Sequence, residues 1–115
     1  MLVYRIEMPD GIGPYQTRKD IEFSFKKELS HCHNGSFSHP TILDDFDGYA
    51  DEMWFGFQSL SLLKQWFDGF LEEIHNCGGK LVTYEVSHEF VEFGNSHRQC
   101  RFRKICATLV SSEHL

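Results

Sequence analysis

Hydrophobic and polar positions are patterned most regularly between residues 53 and 77. Residues 53–57 are large and apolar except for Gly56. This pattern predicts a strand in which the glycine allows another backbone to approach closely. Ser59 or Ser61 can then cap a helix, because a serine hydroxyl accepts a hydrogen bond from an otherwise unpaired N–H.

Apolar residues next recur at spacings of three and four, which predicts one long amphipathic helix over residues 60–77. Its apolar stripe is formed by Leu60, Leu63, Phe67, Phe70, Leu71 and Ile74. Gly69 lies inside this helix at a cost of about 1 kcal/mol relative to alanine, which favours close packing of another element against it. Gly78 and Gly79 predict the end of the helix, since glycine adopts the left-handed conformation without strain.

The first half of the chain is less regular. Residues 2–8 predict a first strand, and the proline and glycine residues between Pro9 and Gln16 predict a loop. Residues 18–30 fit either a helix or a strand, and the continued pattern through Leu29 favours a second, shorter helix. The sequence of residues 31–52 predicts a long loop, and a loop of this length in a small domain is usually functional or mobile.

In the last third, residues 80–87 predict a strand that residues 88–93 extend. Gly94-Asn95-Ser96 predicts a turn. Residues 97–110 are then expected to return beside the strand that precedes this turn. Pairing across the turn is expected to place Glu89 and Glu92 near Arg98, Arg101 and Arg103. We expect residues 111–115 to fray. The chain of 115 residues is therefore expected to form a single α+β domain, residues 1–115.

Composition narrows the classes of function. The formal net charge is −6, so direct binding to nucleic acid is disfavoured, whereas docking on a basic surface is compatible with it. No run approaches the roughly 18 apolar residues of a membrane span, and the short, charged start is unlike a signal peptide. We expect a soluble cytoplasmic protein whose four cysteines are thiols.

The long loop contains His31, His33 and His39, which are possible zinc ligands. Structural zinc sites need four ligands, usually from closely spaced pairs. No Cys-x-x-Cys or second histidine pair completes such a set, so a polar loop rich in histidine is favoured over a metal site.

An acidic stretch ends the same loop. It lacks the ligand spacing and the distal glutamate of a calcium loop. Carboxylates interleaved with Phe46, Tyr49 and Trp54 instead favour either a solvated loop or docking on a basic partner. The candidate partner-binding residues are Asp44, Asp45, Asp47, Asp51 and Glu52.

Four short motifs, taken together, carry a resemblance. They are Tyr4-Arg5-Ile6 followed by Gly11-x-Gly13-Pro14-Tyr15, then Phe55-Gly56-Phe57-x-Ser59 leading into Leu63-x-x-Trp66-Phe67, then Leu81-x-x-Tyr84-x-Val86, and finally Gln99-x-x-Phe102. The chain resembles small phage-encoded proteins related to the ADP-ribosyltransferase-like fold. The resemblance implies a split, two-sheet, mostly antiparallel core with a cleft that takes NAD.

The resemblance also implies roles for particular residues. Arg5 matches a strand residue that contacts NAD, and Ser59 matches a serine that orders the cleft. Tyr15, Phe57 or Tyr84 would stack on the nicotinamide.

Gln99 occupies the position at which this family usually carries a catalytic glutamate. A glutamine can bond the ribose, but it offers no negative charge to the transition state, and electrostatic stabilisation often contributes more to catalysis than any other effect. Gln99 and Ser59 are therefore the candidate catalytic residues of an enzyme that lacks the usual carboxylate.

Two main hypotheses follow. The first is a phage or mobile-element accessory protein that mono-ADP-ribosylates a host defence protein, using NAD. The second is a non-catalytic acidic anti-defence protein that blocks a basic surface of a host nucleoprotein, such as a CRISPR effector. A zinc-stabilised interaction module is a third, weaker one, and the sequence leaves the oligomeric state open.

Overall fold

The computed structural model describes residues 1–14, 45–46 and 52–115. Within these residues the chain forms an α+β fold with antiparallel sheets, as the sequence predicts. In chain order the elements are β1 (Leu2–Glu7), β2 (Met53–Gly56), α1 (Leu60–Trp66), α2 (Leu71–Asn76), β3 (Lys80–Val86), a 3-10 turn (His88–Phe90), β4 (Glu92–Phe93), β5 (Cys100–Arg103), a second 3-10 turn (Lys104–Cys106) and β6 (Ala107–His114).

The strands of the described residues form two sheets. The first has the order β1-β3-β6 and the second has the order β2-β5-β4, with every pair antiparallel. A bridge between Tyr4 and Phe57 connects the two sheets. There the Tyr4 N–H donates to the Phe57 carbonyl at 2.8 Å, and the Phe57 N–H donates to the Tyr4 carbonyl at 2.7 Å.

The first sheet lies between the helices and the second sheet. Successive residues of a strand point to opposite faces, and β1 shows this division clearly. Ile6 packs with Leu63 and Ile74 of the helices. Val3 points the other way and packs with Phe102 of the second sheet. The described residues therefore form two cores, one on each face of the first sheet.

The helical segment differs from the predicted single helix, which is wrong in this respect. α1 ends at Trp66 and α2 begins at Leu71. Gly69 lies in the break with φ of 89°, and a Cβ at this position would meet no atom within 4 Å. The glycine is needed for its left-handed backbone and not for close packing. The second helix predicted over residues 18–30 lies outside the described residues.

Other local predictions are confirmed. The Ser59 hydroxyl accepts from the Leu62 N–H at 3.2 Å and caps α1. Gly78 follows α2 with φ of 85°. A Cβ on Gly56 would lie 2.7 Å from Val3 Cγ1 and 2.8 Å from the Tyr4 carbonyl oxygen, so this glycine does permit the close approach of β1.

The predicted C-terminal hairpin is divided between the two sheets. Residues 97–110, predicted as one returning strand, instead give β5 in the second sheet and the start of β6 in the first sheet, with a 3-10 turn between them. Residues 88–90 form a 3-10 turn, so β4 keeps only Glu92 and Phe93. The expected fraying of residues 111–115 is wrong, because β6 continues to His114 along β3. Helices of the described residues all fall short of the length and apolar character that a membrane span requires.

Candidate functional site

Arg5 follows Tyr4, the β1 residue of the bridge between the two sheets. Its side chain is buried, its Nε donates to Glu7 Oε2 at 3.0 Å, and its Nη1 donates to the Phe55 carbonyl at 3.1 Å. The Tyr84 hydroxyl donates to the same Glu7 oxygen at 2.7 Å. Arg5 therefore continues the contact between the two sheets beyond the Tyr4–Phe57 bridge, by means of its side chain.

Trp54 completes this group, which we call the Arg5 cluster (Arg5, Glu7, Trp54 and Tyr84). The Arg5 guanidinium lies 4.2 Å from the centre of the Trp54 ring, and the Lys104 ammonium lies 4.5 Å from it. Tyr84 meets the same ring edge-on at 6.0 Å. Cations are attracted to the electron-rich face of an indole, so Trp54 helps to hold the buried arginine.

The environment changes how two of these groups ionise. Burial lowers the pKa of Arg5, and the Glu7 carboxylate opposes that shift. Burial raises the pKa of Tyr84 above its usual range, and the hydrogen bond to Glu7 raises it further. Tyr84 is thus a neutral donor to a carboxylate at physiological pH and is poorly suited to act as a base.

A second polar group joins Asp45 to the β4–β5 turn. The Asp45 carboxylate is buried and accepts from the Ser96 N–H at 2.6 Å, the Ser96 hydroxyl at 3.0 Å and Gln99 Nε2 at 3.0 Å. The Asn95 N–H also donates to the Asp45 carbonyl at 2.6 Å. We call Asp45, Ser96 and Gln99 the Asp45 latch.

Phe46 extends the latch onto the second sheet. Its ring lies 5.7 Å from that of Phe55, and the Arg101 guanidinium lies 4.8 Å from its centre. Arg101 is held in turn by Glu92, with Nε to Oε2 at 2.6 Å. This pair is one of the contacts between glutamates and arginines that were predicted across the turn.

Cys100 of β5 pairs with Gly56 of β2 and lies in the core between the sheets. Its side chain is buried, and this burial raises the pKa of its thiol to about 12. A thiol becomes a nucleophile as the thiolate, so its burial makes Cys100 a poor nucleophile at neutral pH. Cys77, Cys100 and Cys106 are free, in agreement with the prediction that the cysteines are thiols.

The candidate NAD residues lie in different parts of the structure. Arg5 and Tyr84 meet through Glu7, and Ser59 caps α1. The Phe57 ring is buried against Trp66 and Phe67 in the helical core. Gln99 is buried in the Asp45 latch and bonds a carboxylate from the partner-binding set. Tyr15 lies outside the described residues.

The candidate partner-binding residues are only partly described. Asp45 is buried, so its carboxylate is not offered to a partner, contrary to its predicted docking role. Glu52 is exposed and has φ of 62°. Asp44, Asp47 and Asp51 lie outside the described residues. So do the weak metal candidates His31, His33 and His39.

Sequence reasoning missed the parts played by Glu7 and Trp54. Glu7 follows Arg5 by two residues and so lies on the same face of β1, which is a usable signal for a charge pair. Trp54 gave no such signal, because its contact with Arg5 depends on the pairing of distant strands. Residues 1–14, 45–46 and 52–115 contain no group of three His, Cys, Asp or Glu side chains that could hold a metal ion.

Comparison with known families gives one result. The family model described as "Bacteriophage T4 Y00F protein" matches residues 1–115, the whole chain. No curated protein and no solved structure matches the chain significantly.

Proposed function

Because the chain belongs to the bacteriophage T4 Y00F protein family, we propose that it is a phage accessory protein that acts on a host protein by binding it. The partner would be a nucleic-acid-binding protein or nucleoprotein, such as a CRISPR effector. The phage protein would cover its basic surface, and the contact would form in the host cytoplasm without a chemical step.

The observation that carries this proposal is the Asp45 latch. Three hydrogen bonds fix the Asp45 carboxylate to the β4–β5 turn, and Phe46 packs beside it on the second sheet. Asp45 and Phe46 are thereby attached to the folded body at a defined point. The candidate docking carboxylates that remain are Asp44, Asp47, Asp51 and Glu52.

The distribution of charge supports the same interpretation. The net charge of the chain is −6, and two of its arginines are buried and paired internally. Arg5 binds Glu7 and Arg101 binds Glu92. Each pair is neutral by itself, so the net charge of −6 lies on the remaining residues. Complementary charge then favours encounter with a basic surface.

The test measures binding to purified nucleic-acid-binding complexes of the host, including a CRISPR effector where the host has one. We expect binding that weakens as salt is raised and that competes with the nucleic acid of the complex. The triple variant D44N/D47N/D51N should weaken binding about tenfold, equivalent to about 1.4 kcal/mol.

The matched control removes three carboxylates from the helical layer, in the variant D68N/E72Q/E73Q. Asp68, Glu72 and Glu73 are exposed, and this variant carries the same total charge as the test variant. Equal weakening by both variants would mean that only net charge matters. Binding that neither salt nor the test variant changes would refute the proposal.

Mono-ADP-ribosylation from NAD stays a prediction of the resemblance. We rank it second because Arg5 and Gln99 already have internal partners, in Glu7 and Asp45 respectively. Labelled NAD incubated with the protein and a host lysate provides the test, together with the rise in melting temperature on adding NAD. Transfer of label that the Gln99→Ala variant abolishes would reverse the ranking. Neither transfer nor stabilisation is expected.

A further inference from the structure

β6 is the outer strand of the first sheet. It pairs with β3 on one side, and no other described strand pairs with it on the second side. It is eight residues long, and every residue from Thr108 to His114 is exposed. An outer strand presents a row of unpaired N–H and C=O groups that can pair with another chain.

Natural proteins usually protect such an edge with charged residues, proline or a covering segment. Here the residues from Ile105 to Ser112 include no charged residue and no proline. Three apolar side chains of this run are open to solvent, since Ile105 is 91 % exposed, Leu109 is 59 % exposed and Val110 is 55 % exposed.

One protective feature is present. The register with β3 shifts between Thr83, which pairs with Ser111, and Tyr84, which pairs with Leu109. Val110 is therefore an extra residue, and such a bulge increases the local twist of a strand. The bulge leaves Leu109 and Val110 both exposed at the middle of the edge, so it does not hide the apolar part of β6.

Charges lie only at the two ends of this edge. Arg103 and Lys104 precede β6 and are exposed, whereas Glu113 lies near its end and is also exposed. When a strand pairs antiparallel with a copy of itself, the start of each strand meets the end of the other. This arrangement brings the basic end of one copy beside the acidic end of the second, and the two-fold symmetry repeats the contact.

We propose that β6 is a self-association surface, on which β6 of a second copy of this chain pairs antiparallel about a two-fold axis near Leu109 and Val110. The two three-stranded sheets then join into one continuous six-stranded sheet. The uncharged centre brings no like charges together, and the exposed apolar side chains become covered. This proposal is independent of the host partner proposed above.

The first test measures molecular mass by sedimentation from micromolar to near-millimolar protein. We expect a monomer–dimer equilibrium in the wild type and a shift to monomer in Val110→Lys, which places a pair of ammonium groups near the axis. Phe90→Lys is the matched control, because Phe90 is 51 % exposed but lies outside β6. A wild type that is monomeric throughout would refute the proposal, as would equal loss of dimer in both variants.

A charge exchange then tests the antiparallel orientation. Arg103→Glu and Glu113→Arg each place like charges at both ends of the interface, and each should raise the dimer dissociation constant about 3- to 30-fold. The double variant restores opposite charges and should return close to the wild-type value. Additive weakening in the double variant would contradict the proposed pairing.

Hydrogen exchange provides a readout that does not depend on any variant. Half of the β6 amides point away from β3, and we expect their protection to increase with protein concentration. Protection that is constant with concentration would count against self-pairing. Protection that appears only when a strand of another protein is added would assign the edge to that partner and overturn the proposal.

Discussion

The two edges of the first sheet are treated in opposite ways. The edge formed by β1 is closed against β2 by the Tyr4–Phe57 bridge, by the close approach at Gly56 and by the bond from Arg5 to the Phe55 carbonyl. The edge formed by β6 has no comparable closure among the described residues. One edge is thus consumed in building the fold, and the other is paired with no further strand among the described residues.

Two polar residues that the sequence proposes for a functional site lie inside the molecule. Arg5 on β1 and Gln99 just before β5 are candidate NAD residues in the sequence, yet both are buried and hydrogen bonded inside the molecule. The edge formed by β6 carries apolar residues such as Leu109 and Val110, which indicate no function in the sequence. A residue that attracts attention in sequence can be needed for the fold, because buried polar groups must be paired there.

Removing Arg5 is expected to have the largest effect on the closed edge. Arg5→Ala leaves the Glu7 carboxylate poorly solvated and the Phe55 carbonyl without its donor. Breaking a buried pair in this way typically costs about 3–5 kcal/mol. Urea unfolding should show this decrease in the free energy of unfolding.

The double variant R5M/E7Q is the control for that change. It removes both charges and keeps the volume of the arginine stem, so it should recover much of the lost stability. If Arg5→Ala alone changed stability by less than about 1 kcal/mol, the role of Arg5 in closing the edge would be refuted.

Gly56→Ala should have the next largest effect. The added Cβ would lie 2.7 Å from Val3 Cγ1 and 2.8 Å from the Tyr4 carbonyl oxygen, and overpacking of this kind typically costs about 1–3 kcal/mol. Thermal or urea unfolding measures the loss. The control is Gly69→Ala, where the space is open and only the left-handed backbone opposes the change. We expect the smaller loss there, and the reverse order would contradict the close approach of β1 to β2.

Local features were predictable from sequence, and contacts between distant segments were not. The cap at Ser59 and the pair between Glu92 and Arg101 were predicted because each depends on neighbouring residues or on one turn. The break at Gly69 was missed because a glycine within an apolar pattern does not reveal the sign of its φ. Asp45 was taken for a surface residue because its partners lie 51 and 54 residues further along the chain.

A third prediction concerns the core behind the closed edge. The pKa of the Cys100 thiol is raised from an ordinary value of 9.0 to about 12 by burial. The unfolded chain therefore loses this proton first as the pH rises. The contribution of this thiol to the free energy of unfolding is constant below about pH 9. Above that pH it falls by about 1.4 kcal/mol per pH unit, up to the folded pKa.

Urea unfolding across this alkaline range measures the slope, and Cys100→Ala is the comparison. The variant is expected to be less stable at neutral pH, because it leaves a cavity, but its stability should fall less steeply above pH 9. Tyr84 contributes with the same sign at higher pH, since its pKa is also raised. Identical slopes in the two proteins would show that Cys100 does not titrate as its burial implies.

The smallest predicted changes in stability compare the two edges of the first sheet most directly. Ile6→Val removes one methylene from the buried side of β1 and should cost about 0.5–1.5 kcal/mol, since Ile6 is only 3 % exposed. Val110→Lys introduces a full charge on β6, yet it should change the unfolding free energy of the monomer by less than about 0.5 kcal/mol. Urea unfolding at a protein concentration below dimer formation isolates the effect on the monomer. A conservative change on the closed edge would then cost more than a radical change on the open one. A loss of more than about 1 kcal/mol in the Val110→Lys monomer would show instead that β6 is packed within its own chain.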